Sequence, residues 1–193
     1  MQNIENCLEI EERGSMGENL VGCCLMQGGP IHTELAIRLL NQFPKLVKML
    51  CFLKIIMKDK MRDLLRENEF SLGLSPLHQA IVNEDPSLCN YLLQHGADVN
   101  QRCYGAFFCP MIKRNLKTDY GGRMYFGEYP LAFAACTNQF DCYRLLRAKK
   151  ADPNSQDTNG NACLHMTVIH ENMEMLKLVY DTGGRLQLLN KQN

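Results

Sequence analysis

No stretch of this chain reaches the roughly 20 consecutive apolar residues that a membrane-spanning helix needs. Met49 to Met57 is the most apolar run, and it is short and interrupted by Lys54. An excess of charge is lacking too. The formal net charge is +0, so nucleic acid is not expected as a whole-chain partner. The N-terminus does not read as a secretory leader, and the 10 cysteines lack the spacing of a disulfide framework. Both features lead to the expectation of a reducing, cytosolic setting with packed thiols.

Signatures of catalysis and metal binding are also missing. His165 and His170 do not form an H-E-x-x-H pair. Cys103 and Cys109 bracket an aromatic loop, but no C-x-x-C pair exists to hold zinc. Gly121-Gly122 is not followed by Lys-Ser/Thr, so it is a loop hinge and not a phosphate cradle. No acid–base pair or nucleophile set stands out. The expectation is a non-enzyme with no catalytic residue, cofactor or metal.

What is present is a period. Gly127 and Gly160 are 33 residues apart, and each opens a Gly, a small or polar pair, then Leu and a short apolar helix. Lys150 and Gly183 are again 33 apart. A 33-residue period with a T-P-L-H-x-A core is the ankyrin pattern, and the best copy is Ser75-Pro76-Leu77-His78-Gln79-Ala80. The fold class is therefore an all-α ankyrin-repeat solenoid of about four helix-turn-helix repeats with finger loops. Residues 1–15 read as an acidic tail and 16–193 as the repeat domain, with repeats near 17–44, 73–101, 127–154 and 160–187. Inner helices are expected near 19–26, 76–82, 130–138 and 163–170. Outer helices are expected near 32–43, 87–94, 140–148 and 172–181.

Local chemistry supports this phase. Ser75 is placed to cap a helix, and Pro76 fits the first turn, where a missing N–H costs nothing. Asp85-Pro86 repeats that logic, and Gly96 suits a left-handed stop. Pro76, Leu77, His78, Gly127, Pro130, Gly160, Leu164 and His165 are the structural repeat positions. His78 and His165 are expected to satisfy loop backbone groups. Cys23, Cys24, Cys136 and Cys163 fall on inner helices as small core residues.

Two intervals depart from 33. Gly17 to Gly73 is 56 and Gly73 to Gly127 is 54. A solenoid places such excess in loops on one edge. The first is an insertion over 45–70. Leu46, Leu50, Leu53, Met57, Met61 and Leu64 recur there at helical spacing among seven basic residues. Three readings stand: an insertion without a role, an extended helix packed on the core, or a basic amphipathic helix for calmodulin or a membrane surface. The last would use Lys48, Leu50, Lys54, Met57, Lys58 and Arg62. The second excess is a long finger, 102–126, too aromatic for a disordered linker. Phe107, Phe108 and Phe126 are expected to fold back onto the neighbouring repeats. The chain also stops where another finger should begin, so it reads as a fragment of a longer protein.

The run Tyr125-Phe126-Gly127-Glu128-Tyr129-Pro130-Leu131-Ala132-Phe133-Ala134-Ala135-Cys136-Thr137-Asn138-Gln139 closely resembles the fourth ankyrin repeat of vanilloid-type transient receptor potential (TRPV) cation channels. Asp157-Thr158-Asn159-Gly160-Asn161 with Leu164-His165 resembles the repeat after it. Cys103-Tyr104-Gly105-Ala106-Phe107-Phe108 and Arg123-Met124-Tyr125 look most like the invertebrate, Nanchung-type subunits. The resemblance implies the second to fifth family repeats, with the membrane helices and pore outside this chain. It further implies the cytoplasmic side of a plasma-membrane, calcium-permeable, tetrameric sensory channel, serving assembly and regulation. The other channel subunits are then its partners. Family fingers in this region meet the neighbouring subunit, which makes Tyr104, Lys113, Arg114 and Lys117 the candidate contact. A free-standing ankyrin adaptor is the alternative.

Some family members bind ATP on the concave face of their first repeats. The phosphate-contacting lysines fall here at Glu18 and Cys23, with other contacts at Gln27, Ser71, Leu74 and Val82. Glu18 repels a triphosphate, so ATP is expected to bind only weakly. Isothermal titration at low salt checks this, and a low-micromolar dissociation constant would overturn it.

Overall fold

A computed structural model describes residues 19–48, 51–54, 71–105 and 127–191, with side chains outside 49–73 and 104–126. Eight α-helices run through the described residues as four antiparallel pairs. They are α1 (Leu20–Gln27) and α2 (Pro30–Gln42), α3 (Pro76–Val82) and α4 (Pro86–Gln94), α5 (Pro130–Cys136) and α6 (Phe140–Ala148), and α7 (Cys163–Ile169) and α8 (Met173–Asp181). Each inner helix packs on the next inner helix, α1 on α3 on α5 on α7, and α4 packs on α6. The 33-residue phase thus placed all eight helices, to within a residue or two at most ends. This is an all-α ankyrin solenoid.

The core is periodic because the sequence is. Leu25, Ile81 and Ala135 occupy the same phase, and each is at most 1% exposed. Val168, in that same phase on the last described inner helix, is 62% exposed. The following repeat therefore supplies the burial. A Leu, Ile or Val in this phase contributes roughly 1.5–3 kcal/mol when fully covered, so stability grows with each neighbour added. Cys24, Cys136 and Cys163 are buried, as small core residues should be, and Cys23 is half-buried.

Helix ends follow one device. Asp85 N–H donates to Ala80 O, Gln139 N–H to Ala134 O and Asn172 N–H to Thr167 O, each across five residues. Outer helices close the same way, with Ala97 to Leu92, Ala151 to Leu146 and Gly184 to Val179. This closure requires a left-handed residue just after the helix. Those residues are Glu84, Asn138 and Glu171 at φ 57, 58 and 56°, and Gly96, Lys150 and Gly183 at φ 87, 67 and 104°. Gly96 is the stop its sequence position suggests.

Helix starts also follow the sequence. Ser75 Oγ accepts from His78 N–H at 3.4 Å, and Asp85 Oδ1 accepts from Leu88 N–H at 2.9 Å. Pro76 and Pro86 begin their helices. Pro30 begins α2 two residues ahead of the expected start, because its fixed φ suits a first helical position.

Three short strands accompany the helices. β1 (Cys51–Lys54), β2 (Ser71–Leu74) and β3 (Tyr104–Gly105) form an antiparallel sheet in the order β1-β2-β3. Over 44–48 and 51–54 this departs from the helical spacing, and 49–50 and 55–70 lie outside the described residues. Pro44 disfavours helical backbone at Phe43, so α2 ends at Gln42. Pro44–Lys48 is a 3₁₀ turn that buries Leu46 and Val47 and leaves Lys48 exposed. Cys51–Lys54 then pairs as a strand, so Lys54 lies in β1 and not on a helix. Leu50, Met57, Lys58 and Arg62 lie outside the described residues, as do 106–126 with Phe107, Phe108, Lys113, Arg114, Lys117 and Phe126. Among the described residues no helix is long and apolar enough to cross a membrane.

Lys150 pays for its left-handed backbone without a glycine's freedom, a cost of roughly 1–2 kcal/mol. Its side chain is exposed. Lys150→Gly is expected to stabilise the chain by about 1 kcal/mol once the extra unfolded-state entropy is counted. Urea denaturation reads this as a higher midpoint, and a lower one refutes it.

Candidate functional site

The described residues converge on Glu128, in the Gly127-Glu128-Tyr129-Pro130 run that opens the third repeat. Its main-chain carbonyl accepts three donors from the second repeat: Cys103 N–H at 2.9 Å, the Cys103 thiol at 3.0 Å and His78 Nε2–H at 3.3 Å. Its carboxylate accepts from Arg102 Nε and, at 3.2 Å, from Thr158 N–H in the next finger. Arg102 Nη2 also donates to Thr158 Oγ1. One residue thus ties three successive repeats.

His78 is fully buried, its ring edge-on to Phe133 with centroids 4.9 Å apart. Ser75 N–H donates to His78 Nδ1 at 3.3 Å, which leaves Nε2 carrying the proton for Glu128. Burial pulls its pKa down to about 3, partly offset by the Glu128 carbonyl. The imidazole is neutral and satisfies a loop carbonyl, the role expected of it. His165 accepts Ala162 N–H at 3.1 Å in its own loop.

Gly127 sits at φ 76°, and a Cβ there would come 2.7 Å from Ala132 Cβ. Only glycine lets Glu128 approach so closely. Pro76, Leu77, Pro130 and Leu164 are buried. The finger tip follows a similar logic. Asp157 Oδ1 accepts from Asn159 N–H at 2.8 Å and Asn161 N–H at 2.9 Å, around Gly160 at φ 80°. That is the tight turn the Asn159-Gly160 pair promises.

A second set of bonds was not foreseen. Asn83 Nδ2 donates to Leu25 O at 2.7 Å, and Gln139 Nε2 to Ile81 O at 2.8 Å. Asn172 Nδ2 donates to Ala135 O at 3.1 Å and Cys136 O at 2.9 Å. Leu25, Ile81 and Ala135 share one phase, so each repeat caps the open carbonyls of the inner helix before it. Gln139 and Asn172, 33 apart and both amides, carried that signal in the sequence. Arg102 and Glu128 gave none, because the unphased finger separates them.

Buried thiols line this region. Burial, followed by the nearby Glu128 charge, pushes Cys103 up, and burial pushes Cys163 up to about 12. Such thiols stay protonated and are poor nucleophiles. Among the described residues no three His, Cys, Asp or Glu side chains gather to hold a metal ion. Of the residues proposed for partner contact, Tyr104 lies in β3, and Lys113, Arg114 and Lys117 are outside the described residues.

The geometry is that of an interaction scaffold built from ankyrin repeats. Residues 72–104 match the ankyrin repeat family, and residues 125–179 match its many-copy form. Over 197 aligned residues, 98% of this chain, it is 31% identical to transient receptor potential cation channel subfamily V member 5 of Rattus norvegicus. It is 38% identical over 117 residues to subfamily V member 4 of Mus musculus, and 33% over 131 residues to member 2 of Homo sapiens. This is an ankyrin-repeat chain. Its curated homologues are vanilloid-type transient receptor potential cation channels, and the chain spans 23%, 13% and 16% of these three.

The neutral, buried His78 makes stability pH-dependent. The unfolded ring takes a proton near 6.5, while the folded ring resists until about 3. Its contribution is complete above pH 6.5 and is lost as pH falls towards 3. Between pH 7 and 5 the stability should drop by about 2 kcal/mol from this group. His78→Gln is expected to flatten that slope in urea titrations, and an unchanged slope would contradict the assignment.

Proposed function

We propose that this chain is the cytoplasmic ankyrin region of a calcium-permeable, vanilloid-type channel subunit at the plasma membrane. Its role is subunit assembly and regulation, and conduction belongs to segments beyond these residues. The observation that carries the reading is the homology to a subfamily V channel along 98% of the chain. The bonds around Glu128 support it, since they hold successive repeats rigid relative to one another, as a docking scaffold requires. A non-enzymatic binding module also fits the raised thiols and the neutral His78. The free-standing adaptor differs in one respect: its full-length transcript encodes no six apolar segments downstream.

The long finger is the proposed subunit contact. Its basic residues Lys113, Arg114 and Lys117, with Tyr104, are of the types that suit an interface. β3 starts this finger against β2, so its root is attached to the second repeat.

The test uses the full-length subunit expressed in cells. Deleting residues 72–191 is expected to abolish the tetramer on native gels and the calcium current. Intact tetramers and currents would reject the assembly role. Replacing Lys113, Arg114 and Lys117 together by Glu is expected to lower the tetramer fraction and surface delivery. If assembly, delivery and gating all stay unchanged, the finger has no part in the interface.

A further inference from the structure

We propose that Cys89 and Cys142 form an oxidisable dithiol that a peroxide closes into a disulfide, locking the second repeat to the third. Cys89 lies on α4 and Cys142 on α6, the outer helices of adjacent repeats, and their sulfurs are 3.6 Å apart. Both side chains are at most 1% exposed. They are 53 positions apart in the chain, and the long finger lies between them.

The surroundings suit the reaction. Cys142 also lies 3.4 Å from Gln139 Oε1, and Gln139 Nε2 is held by Ile81 O at 2.8 Å. The sulfur is therefore fixed against the amide that staples the two repeats. The hydrogen bond with Cys89 pulls the Cys142 thiol below its ordinary range, against burial and the Asp141 and Asp85 charges. The same bond and burial push Cys89 up. The two thiols share one hydrogen bond, so one sulfur can attack the oxidant while the other resolves the product, here with Cys142 attacking. A groove between α4 and α6, lined by Ser87, Asn90, Asp141 and Arg144, opens beside the neighbours of both cysteines.

The chemistry balances with hydrogen peroxide. The Cys142 thiolate attacks one peroxide oxygen, the O–O bond breaks, and a sulfenic acid forms with loss of hydroxide, which takes up the Cys142 proton as water. The Cys89 sulfur then attacks the Cys142 sulfur and expels the second water, its own proton going to the leaving hydroxyl. Two thiols are oxidised and one peroxide is reduced to two waters. The sulfurs close from 3.6 Å to about 2.0 Å. The Cys142 S–H near Gln139 is consumed, and a covalent link replaces it.

The experiment treats the native 193-residue chain with graded hydrogen peroxide, blocks free thiols and maps peptides by mass spectrometry. The expected product has lost about 2 Da, carries a Cys89–Cys142 link and reverts with dithiothreitol. Its melting temperature should rise by roughly 5–10 °C, because the link closes a long loop. Cys89→Ala and Cys142→Val should each lose both the link and the rise. The mapping of the unsubstituted chain stands alone if either variant folds poorly. A native product linked elsewhere overturns the proposal. So does a Cys142 sulfinic acid with no link, or a link that forms only in urea.

Discussion

The stack depends on how Glu128 is satisfied. Its carbonyl takes three donors and its carboxylate two more, all in a site where the side chain is only 10% exposed. A carboxylate buried this far is costly unless paired and hydrogen-bonded. Arg102 supplies the charge and Thr158 the backbone donor, and they come from different fingers. The requirement that one residue be paired therefore fixes two fingers at once. His78 accepts Ser75 N–H only while neutral, which joins this region to pH.

Around that point the solenoid is held by two repeating devices of different reach. The five-residue closures with left-handed stops act within a repeat and set where each helix ends. The amides of Asn83, Gln139 and Asn172 act between repeats and use the carbonyls those ends leave open. Arg147 adds an outer link, donating to Ala151 O and, at 2.5 Å, to Thr182 O in the fourth repeat. Tyr143 meets Thr182 as well, hydroxyl to hydroxyl at 2.9 Å. Nearest-neighbour bonds of this kind make repeats additive in stability.

The helices were legible because their signals are local and periodic. Ser75, Pro76, Asp85, Pro86 and Gly96 each perform at their own position the act their chemistry suggests. The His78 contact with a loop carbonyl was legible for the same reason. The Arg102–Glu128–Thr158 bridge was not, because its members come from two fingers and a repeat opening, and no shared spacing relates them. Cys89 and Cys142 also escaped a phase argument. Cys89 shares its phase with Tyr143 and not with Cys142, so their contact arises from packing alone. The sheet failed for a third reason. Its strands are four residues or fewer, too short for alternation to be read.

Both departures from the 33-residue period border the second repeat, and the sheet joins them. β1 lies within the insertion, β2 follows it, and β3 lies near the start of the long finger. β2 is central and runs into α3 through Leu74, which is 3% exposed. Cys103, immediately before β3, donates to Glu128. The extra segments are therefore rooted in the same few residues that hold the second and third repeats together. Cys103 thus ties the finger root to Glu128, and Glu128 is tied in turn to Thr158 in the next finger.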